Sequence, residues 1–434
     1  MAGPFVLMSA AGLLLILFLA GVPIFLAFLA LNTAGVALFM GPQAFGMVAN
    51  SLFTTATTGT LTAIALFVLM GEILFRSGAA EVLFDAVDRL VGRMRGRQYV
   101  LAGVLATVFG ALSGSNMAVA ALMARTIYPG MVQRGYDRKL SIGMILGGAS
   151  LAPVIPPSVL VIIIATLANV SVAGLLVAGV LPGLLLGAAF IGYALLRVHL
   201  DPRLAPPPEA PAHASAVPVG RALLHCLPFA GLIVLVVGLI LFGIATPSES
   251  AAAGVLGALA IAALFRRAGW EMLTSALRSA VLLTAMILII MASSTLFSQL
   301  LAISGASAQI TRFVSELGWP PVAMLVAMMA LVFLFCLFID QVAVMLVIIP
   351  IYSPLVVLLG FDPLWFWLLM LLNVTVGGIT PPFGYAMFAF RGAAPDVPMN
   401  ALFSAAWPFV GLFIVVMIVV GVVPELATWL PGLL

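Results

Sequence analysis

Charge is what this sequence has least of. Asp, Glu, Lys and Arg make up 7% of its 434 residues, while 64% are hydrophobic; ordinary soluble domains carry about 25% charged residues. So little polar surface excludes a water-soluble core and an open sheet, and it sets the class as an all-α polytopic membrane protein. Histidine is scarce too. His199, His213 and His225 all fall near one proline-rich stretch, which leaves no transition-metal site and no acid–base constellation, so no enzyme is expected. Cys226 and Cys336 lie in apolar runs without metal-ligand spacing; they read as small buried hydrophobes, with a disulfide the lesser alternative. The formal charge of +3 says little about partners; no nucleic acid is expected among them, and the few Lys and Arg serve better as topology marks. The first apolar run lacks the charged start and cleavage site of a signal peptide and is expected to stay as a helix.

What the sequence does have is proline and glycine in the wrong places for continuous helices. The apolar run 142–168 is long enough to span a bilayer, yet it contains Gly147, Gly148, Pro153, Pro156 and Pro157. Such a run is expected to be a helix broken at membrane depth, where irregular backbone is tolerated only inside protein or beside a cavity. A second copy interrupts the run 364–390, with Gly377, Gly378, Pro381 and Pro382. Pro156-Pro157 and Pro381-Pro382 are 225 positions apart, and the same offset carries Gly135-Tyr136-Asp137 onto Gly360-Phe361-Asp362 and Pro129 onto Pro354. It also carries the polar break Ser113–Asn116 onto 338–341. The chain therefore reads as an internal duplication, and paired broken helices are a mark of secondary transporters.

In chain order, two helices are expected within 4–40, a polar connector with Gln43 and Asn50, and a span at 61–75. The charged stretch 76–98 reads as an interfacial amphipathic helix. The apolar run 99–128 has arms of only about 12 to 14 residues either side of its break, too short to cross ~30 Å, so it reads as a re-entrant hairpin. Basic residues on both flanks (Arg89, Arg93, Arg95 and Arg97 before, Arg134, Arg138 and Lys139 after) put its entry and exit on the cytoplasmic side. A span at 172–196 follows. The Pro- and Ala-rich stretch between His199 and Arg221 is expected to be a cytoplasmic linker. The second half repeats the plan: spans at 222–245 and 250–265, an interfacial helix at 270–278, a span at 281–299, a hairpin at 320–353, the broken helix 364–390 and a last span at 401–423. Five crossings per half give opposite orientations, so the halves, 1–198 and 222–434, are expected to be inverted repeats with both termini outside.

The hairpin tips and breaks should converge near midplane. Ser113, Ser115, Asn116 and the carbonyls near 150–153 offer one oxygen cage; Asp340, Gln341, Thr375, Thr380 and the carbonyls of 377–379 offer another. Oxygen donors suit a hard cation such as Na⁺. Half-helix N-termini at Ser158 and after Pro382 favour an anionic substrate. The bland readings stay open: small-residue packing for Ser113–Asn116, and a helix cap for Asp340. Glu249, in Thr246-Pro247-Ser248-Glu249, reads as a structural cap. Glu72 is interfacial or a subunit contact, and Arg125 and Arg391 are weaker anion candidates than snorkelling cations.

Ser-Gly-Ser-Asn, Arg-Gly-Tyr-Asp, Pro-Pro-Ser, Thr-Pro-Ser-Glu and Gly-Gly-Ile-Thr-Pro-Pro together resemble the large membrane subunit of tripartite ATP-independent periplasmic (TRAP) transporters, over nearly the whole chain. The resemblance implies an elevator-type, Na⁺-driven secondary transporter in the bacterial inner membrane. It implies uptake of a small carboxylate delivered by a periplasmic binding protein, with a separate small four-helix membrane subunit as partner. It places Na⁺ ligands at Ser113, Gly114, Ser115, Asn116 and Pro153, and at Asp340, Gly377, Gly378 and Thr380. Asn116 departs from the small hydroxyl residue many members have there. Substrate contacts are expected at Ser115, Ser158, Gln341, Thr375 and Pro382. An ion channel is disfavoured by the inverted duplication; a stand-alone sodium–dicarboxylate transporter is the nearest rival.

Overall fold

The computed structural model describes residues 12–14, 16–17, 20–41, 45–92, 94–207 and 218–434. Most of the first expected helix, Gln43, Arg93 and the centre of the linker with Pro208, Pro211 and His213 lie outside them. Among the described residues every regular element is helical.

The chain opens with α1 (Ile24–Phe39), α2 (Gly46–Thr57), α3 (Thr62–Arg76) and α4 (Ala79–Val91). The polar connector around Asn50 is thus the helix α2: Ser51 spends its polarity by donating to Gln299 Oε1 at 3.0 Å. α5 (Arg97–Ser113) and α6 (Asn116–Thr126) form the first pair of arms, followed by the short α7 (Tyr128–Gln133). The chain breaks between α8 (Arg138–Ala149) and α9 (Val159–Leu167), then continues through α10 (Val172–Ala178) and α11 (Val180–Leu200).

The second half runs through α12 (Val219–Leu241), α13 (Pro247–Leu264) and α14 (Trp270–Ile303). It goes on with α15 (Ala306–Leu317), α16 (Pro321–Cys336) and α17 (Gln341–Leu358). It ends with α18 (Pro363–Gly377), α19 (Tyr385–Ala393), α20 (Met399–Val422) and the short α21 (Glu425–Thr428). Seven helical segments among the described residues are long and apolar enough to cross a membrane: Gly59–Arg76, Val172–Leu200, Val219–Leu241, Pro247–Leu264, Trp270–Ile303, Gln341–Leu358 and Met399–Val422.

Several boundaries differ from the sequence reading. The interfacial helix at 270–278 and the span at 281–299 are one helix of 34 residues, about 51 Å long at 1.5 Å per residue. No Gly or Pro lies between Trp270 and Ile303, so nothing stops it. The span at 172–196 is two helices meeting at Gly179, whose lack of a side chain lets it press on the Val154 carbonyl. One arm of each hairpin is longer than expected, while α6 has only 11 residues. α5 has 17 residues and α17 has 18, because Pro350 and Pro354 are accommodated inside α17. The charged stretch ends early: Arg97 and Gln98 start α5 and are buried, at 4% and 3% exposure. Arg97 Nη2 donates to Asp88 Oδ1 at 2.6 Å and to the Asp88 carbonyl at 2.8 Å, so the charge is neutralised at the α4–α5 corner.

Caps fix where the paired helices start. Asp137 accepts from the Leu140 N–H at 2.7 Å and Asp362 from the Trp365 N–H at 2.8 Å, satisfying donors at the starts of α8 and α18. Ser115 caps α6 through the Ala118 N–H, and Asp340 caps α17 through the Val342 N–H. Both pairs are 225 positions apart, and the Pro156-Pro157 and Pro381-Pro382 bonds are both cis. Glu249 and Thr246 complete a reciprocal capping box on α13.

The packing has two concentrations. α3 lies against α13 and α14, and α14 carries α1 and α2; Asn32 Nδ2 donates to the Ser293 carbonyl at 2.6 Å across that contact. α8 packs on α5 and α20, and α6 packs on α19; just beyond α6, Tyr128 at the start of α7 meets the edge of Phe390 with centroids 5.3 Å apart.

Candidate functional site

The two tips are built from opposite solutions to the same turn. In the first, α5 ends at Ser113 and α6 starts at Asn116, so Gly114 and Ser115 alone make the turn. Gly114 takes φ +61°, a conformation other residues adopt at a cost. In the second, the chain leaves helix over 337–340 and Asp340 re-enters it as the cap.

Each tip sits on the break of its own half. A side chain at Gly110 would meet the Ala152 backbone at 3.0 Å, and one at Gly114 would meet the Pro157 carbonyl at 3.3 Å. In the second half a side chain at Gly377 would run into Cys336. The small residues there are what let tip and break touch.

The halves are joined through Tyr385 at the start of α19. Asn116 Nδ2 donates to its hydroxyl at 2.7 Å, Gln341 and Asp340 approach the same hydroxyl, and Gly378 lies against it, where a side chain would collide. Tyr385 is not legible from the repeat. The 225-residue offset maps it onto Leu160, an apolar position, so the repeat pointed away from it.

A cavity of about 870 Å³ opens at this junction. It collects Ser113, Gly114, Ser115, Asn116 and Pro153 from the first half with Asp340, Gln341 and Tyr385 from the second. Its opposite wall is α3 and α14, with Glu72, Arg76, Met286 and Ile290 among the lining. Glu72 therefore faces this cavity and pairs with Arg76 at 2.7 Å. Arg125 and Arg391 are exposed and are not among its lining.

The other expected site residues stand behind or beside this wall. Thr375, Gly377, Gly378 and Thr380 are buried and are not among the cavity lining. The Thr380 hydroxyl donates to the Val376 carbonyl at 2.7 Å. Ser158 is fully buried; its hydroxyl donates to the Pro153 carbonyl at 2.6 Å and accepts from the Val161 N–H, so it is committed to holding the break. Pro382 is exposed. Two buried oxygens of this group, Gln341 Oε1 and Thr375 Oγ1, have no hydrogen-bond partner among the described residues. Buried polar atoms are rarely left so.

Long apolar helices broken in pairs, with polar tips facing one cavity, define a polytopic membrane transporter. The family described as "Tripartite ATP-independent periplasmic transporter, DctM component" matches residues 11–426, and the chain belongs to that family. It is 32% identical over 407 residues, 93% of either chain, to the C4-dicarboxylate TRAP transporter large permease protein DctM of Pseudomonas aeruginosa. It is 28% identical over 427 residues, 97% of either chain, to the ectoine/5-hydroxyectoine TRAP transporter large permease protein UehC of Ruegeria pomeroyi. Its fold is similar to that in the crystal structure of the Alcanivorax borkumensis YdaH transporter, with a TM-score of 0.61 over 90% of this chain and 91% of that one, at 16% identity.

Proposed function

We propose that this permease moves a small organic carboxylate into the cytoplasm, driven by a Na⁺ gradient. The observation that carries the proposal is the junction cavity, where polar groups of both tips meet across Tyr385. Asp340 supplies the carboxylate, Ser113, Ser115 and Asn116 supply neutral oxygens, and the partnerless Gln341 Oε1 is an acceptor a hard cation would satisfy. Na⁺ held there neutralises Asp340 and gives the tips a reason to accept an anion.

The carboxylate is suggested by the relatives' substrates. A C4-dicarboxylate and ectoine differ in ring, size and charge, and share a carboxylate. A periplasmic binding protein would deliver it, and a small four-helix membrane subunit would complete the complex. The matched caps at 137 and 362, and at 115 and 340, support the reading of the halves as inverted repeats. In an elevator motion the tips and breaks would move as one body against α3, α13 and α14. Basic residues at 89–97, 134–139, 197–203, 266–267 and 391 favour the cytoplasm for those loops and the periplasm for both termini, in the inner membrane.

The test is reconstitution into vesicles: this chain alone, then with the small subunit, then with the cognate binding protein. Uptake of labelled succinate and ectoine is followed under a Na⁺ gradient or a pH gradient. Uptake is expected only from the complete set with the Na⁺ gradient. Fast uptake by this chain alone would favour a stand-alone carboxylate transporter, and uptake driven by the pH gradient alone would overturn the Na⁺ assignment.

A further inference from the structure

The wall of the cavity opposite the tips carries a fixed cation that the Na⁺ reading leaves unused. The first tip meets α3 at Gly71, where an added side chain would lie 3.0 Å from the Leu112 carbonyl and 3.1 Å from Ser113 Cα. Arg76 follows five residues later, about 7.5 Å further along the helix axis, and still lines the same cavity. It lies toward the end of α3 that the basic stretch marks as cytoplasmic. Among the described residues of the lining it is the only Lys or Arg; Glu72 and Asp340 are the only acids.

Its guanidinium is held from three directions. Nε donates to Glu72 Oε2 at 2.7 Å, Nη1 to Ser275 Oγ at 2.5 Å and Nη2 to Ser279 Oγ at 2.7 Å. Ser275 and Ser279 are one turn apart on α14, so both reach the same fork. An arginine that only snorkels to water has no use for such fixing. Three of the five N–H groups are taken, and two remain for an acceptor.

The charges give this arrangement a use. While Na⁺ occupies the tips, an anion beside Asp340 is neutralised. Once Na⁺ leaves, Asp340 repels it, and the Arg76–Glu72 pair presents the one guanidinium among the described residues of the lining. We propose that Arg76 is a second, static anion subsite, which takes the carboxylate of the cargo as it leaves the tips toward the cytoplasm. A planar fork held rigid suits a carboxylate. This inference rests on the carboxylate reading above, and it adds a stop on the wall that does not move with the tips.

The experiment uses the purified chain in lipid nanodiscs, with succinate as probe at constant ionic strength and thermal unfolding as readout. Succinate is expected to raise the melting temperature of the wild-type chain. The half-saturating concentration should rise at least tenfold in Arg76→Gln, and less in Arg76→Lys. Ser275→Ala/Ser279→Ala, which keeps the charge and frees the fork, should raise it several-fold; if Arg76→Gln does not fold, this double variant decides. Half-saturation unchanged in Arg76→Gln or in the double variant, or no succinate response in the wild type, would overturn the proposal. Na⁺-induced stabilisation, measured without succinate, should persist in every variant. Its absence from a wild-type chain that still responds to succinate would remove the Na⁺ reading and leave Arg76 standing.

Discussion

Tyr385 shows what a single residue can do in this architecture and why it was hard to read in advance. Its hydroxyl accepts from Asn116 of the other half, so the first tip is tied to the helix that follows the second break. An aromatic residue in an apolar run reads as packing, and only the fold reveals where its polar end lands. Glu249 is the contrary case. Its role was legible from Thr-Pro-Ser-Glu because a capping box is a local pattern, and the structure contains both of its hydrogen bonds. Tyr385→Phe should leave the Asn116 amide without its acceptor, at a cost of about 1–2 kcal/mol. We expect the Na⁺ concentration for half-maximal stabilisation of the purified chain to rise roughly five- to thirtyfold, as that energy converts, while the unfolding temperature without Na⁺ moves little. An unchanged Na⁺ dependence would reduce Tyr385 to a packing residue.

Among the elements, the joint between α4 and α5 is where the charge pattern misled. In the sequence Arg97 stands with the other basic residues as a mark of the membrane surface, yet it is buried against Asp88. Composition cannot tell a snorkelling arginine from a paired one; that depends on whether an acid nine residues upstream is folded back beside it. Gly96, at φ +80° just before α5, makes that return possible without strain. The tips and breaks were legible for the opposite reason, since Pro, Gly and hydroxyl residues inside apolar runs leave few alternatives. Glu271 and Arg278 read as a surface helix, whereas the chain continues through them as one helix, α14. Asp88→Ala should cost about 3 kcal/mol, because it strands a buried guanidinium. Asp88→Ala/Arg97→Met should recover most of it. Denaturant unfolding of the purified chain in detergent measures both, and equal losses in the single and double variants would show that the stranded guanidinium is not the cause.

For the whole molecule, membership in the tripartite family and the helical membrane fold place the chain as a transport permease. The central claim is that the cavity between the two tips is where Na⁺ binds. Asp340 is its carboxylate; it also caps α17, so the cap reading and the ion reading must be separated by measuring the ion itself. Asp340→Asn keeps an acceptor for the Val342 N–H and removes the charge, whereas Glu249→Gln removes a charge from a helix start away from the cavity. The direct measurement is equilibrium binding of radioactive ²²Na⁺ to the purified chain. The account predicts saturable binding in the wild type, binding weakened at least tenfold in Asp340→Asn, and wild-type affinity in Glu249→Gln. Wild-type affinity and capacity in Asp340→Asn would contradict it.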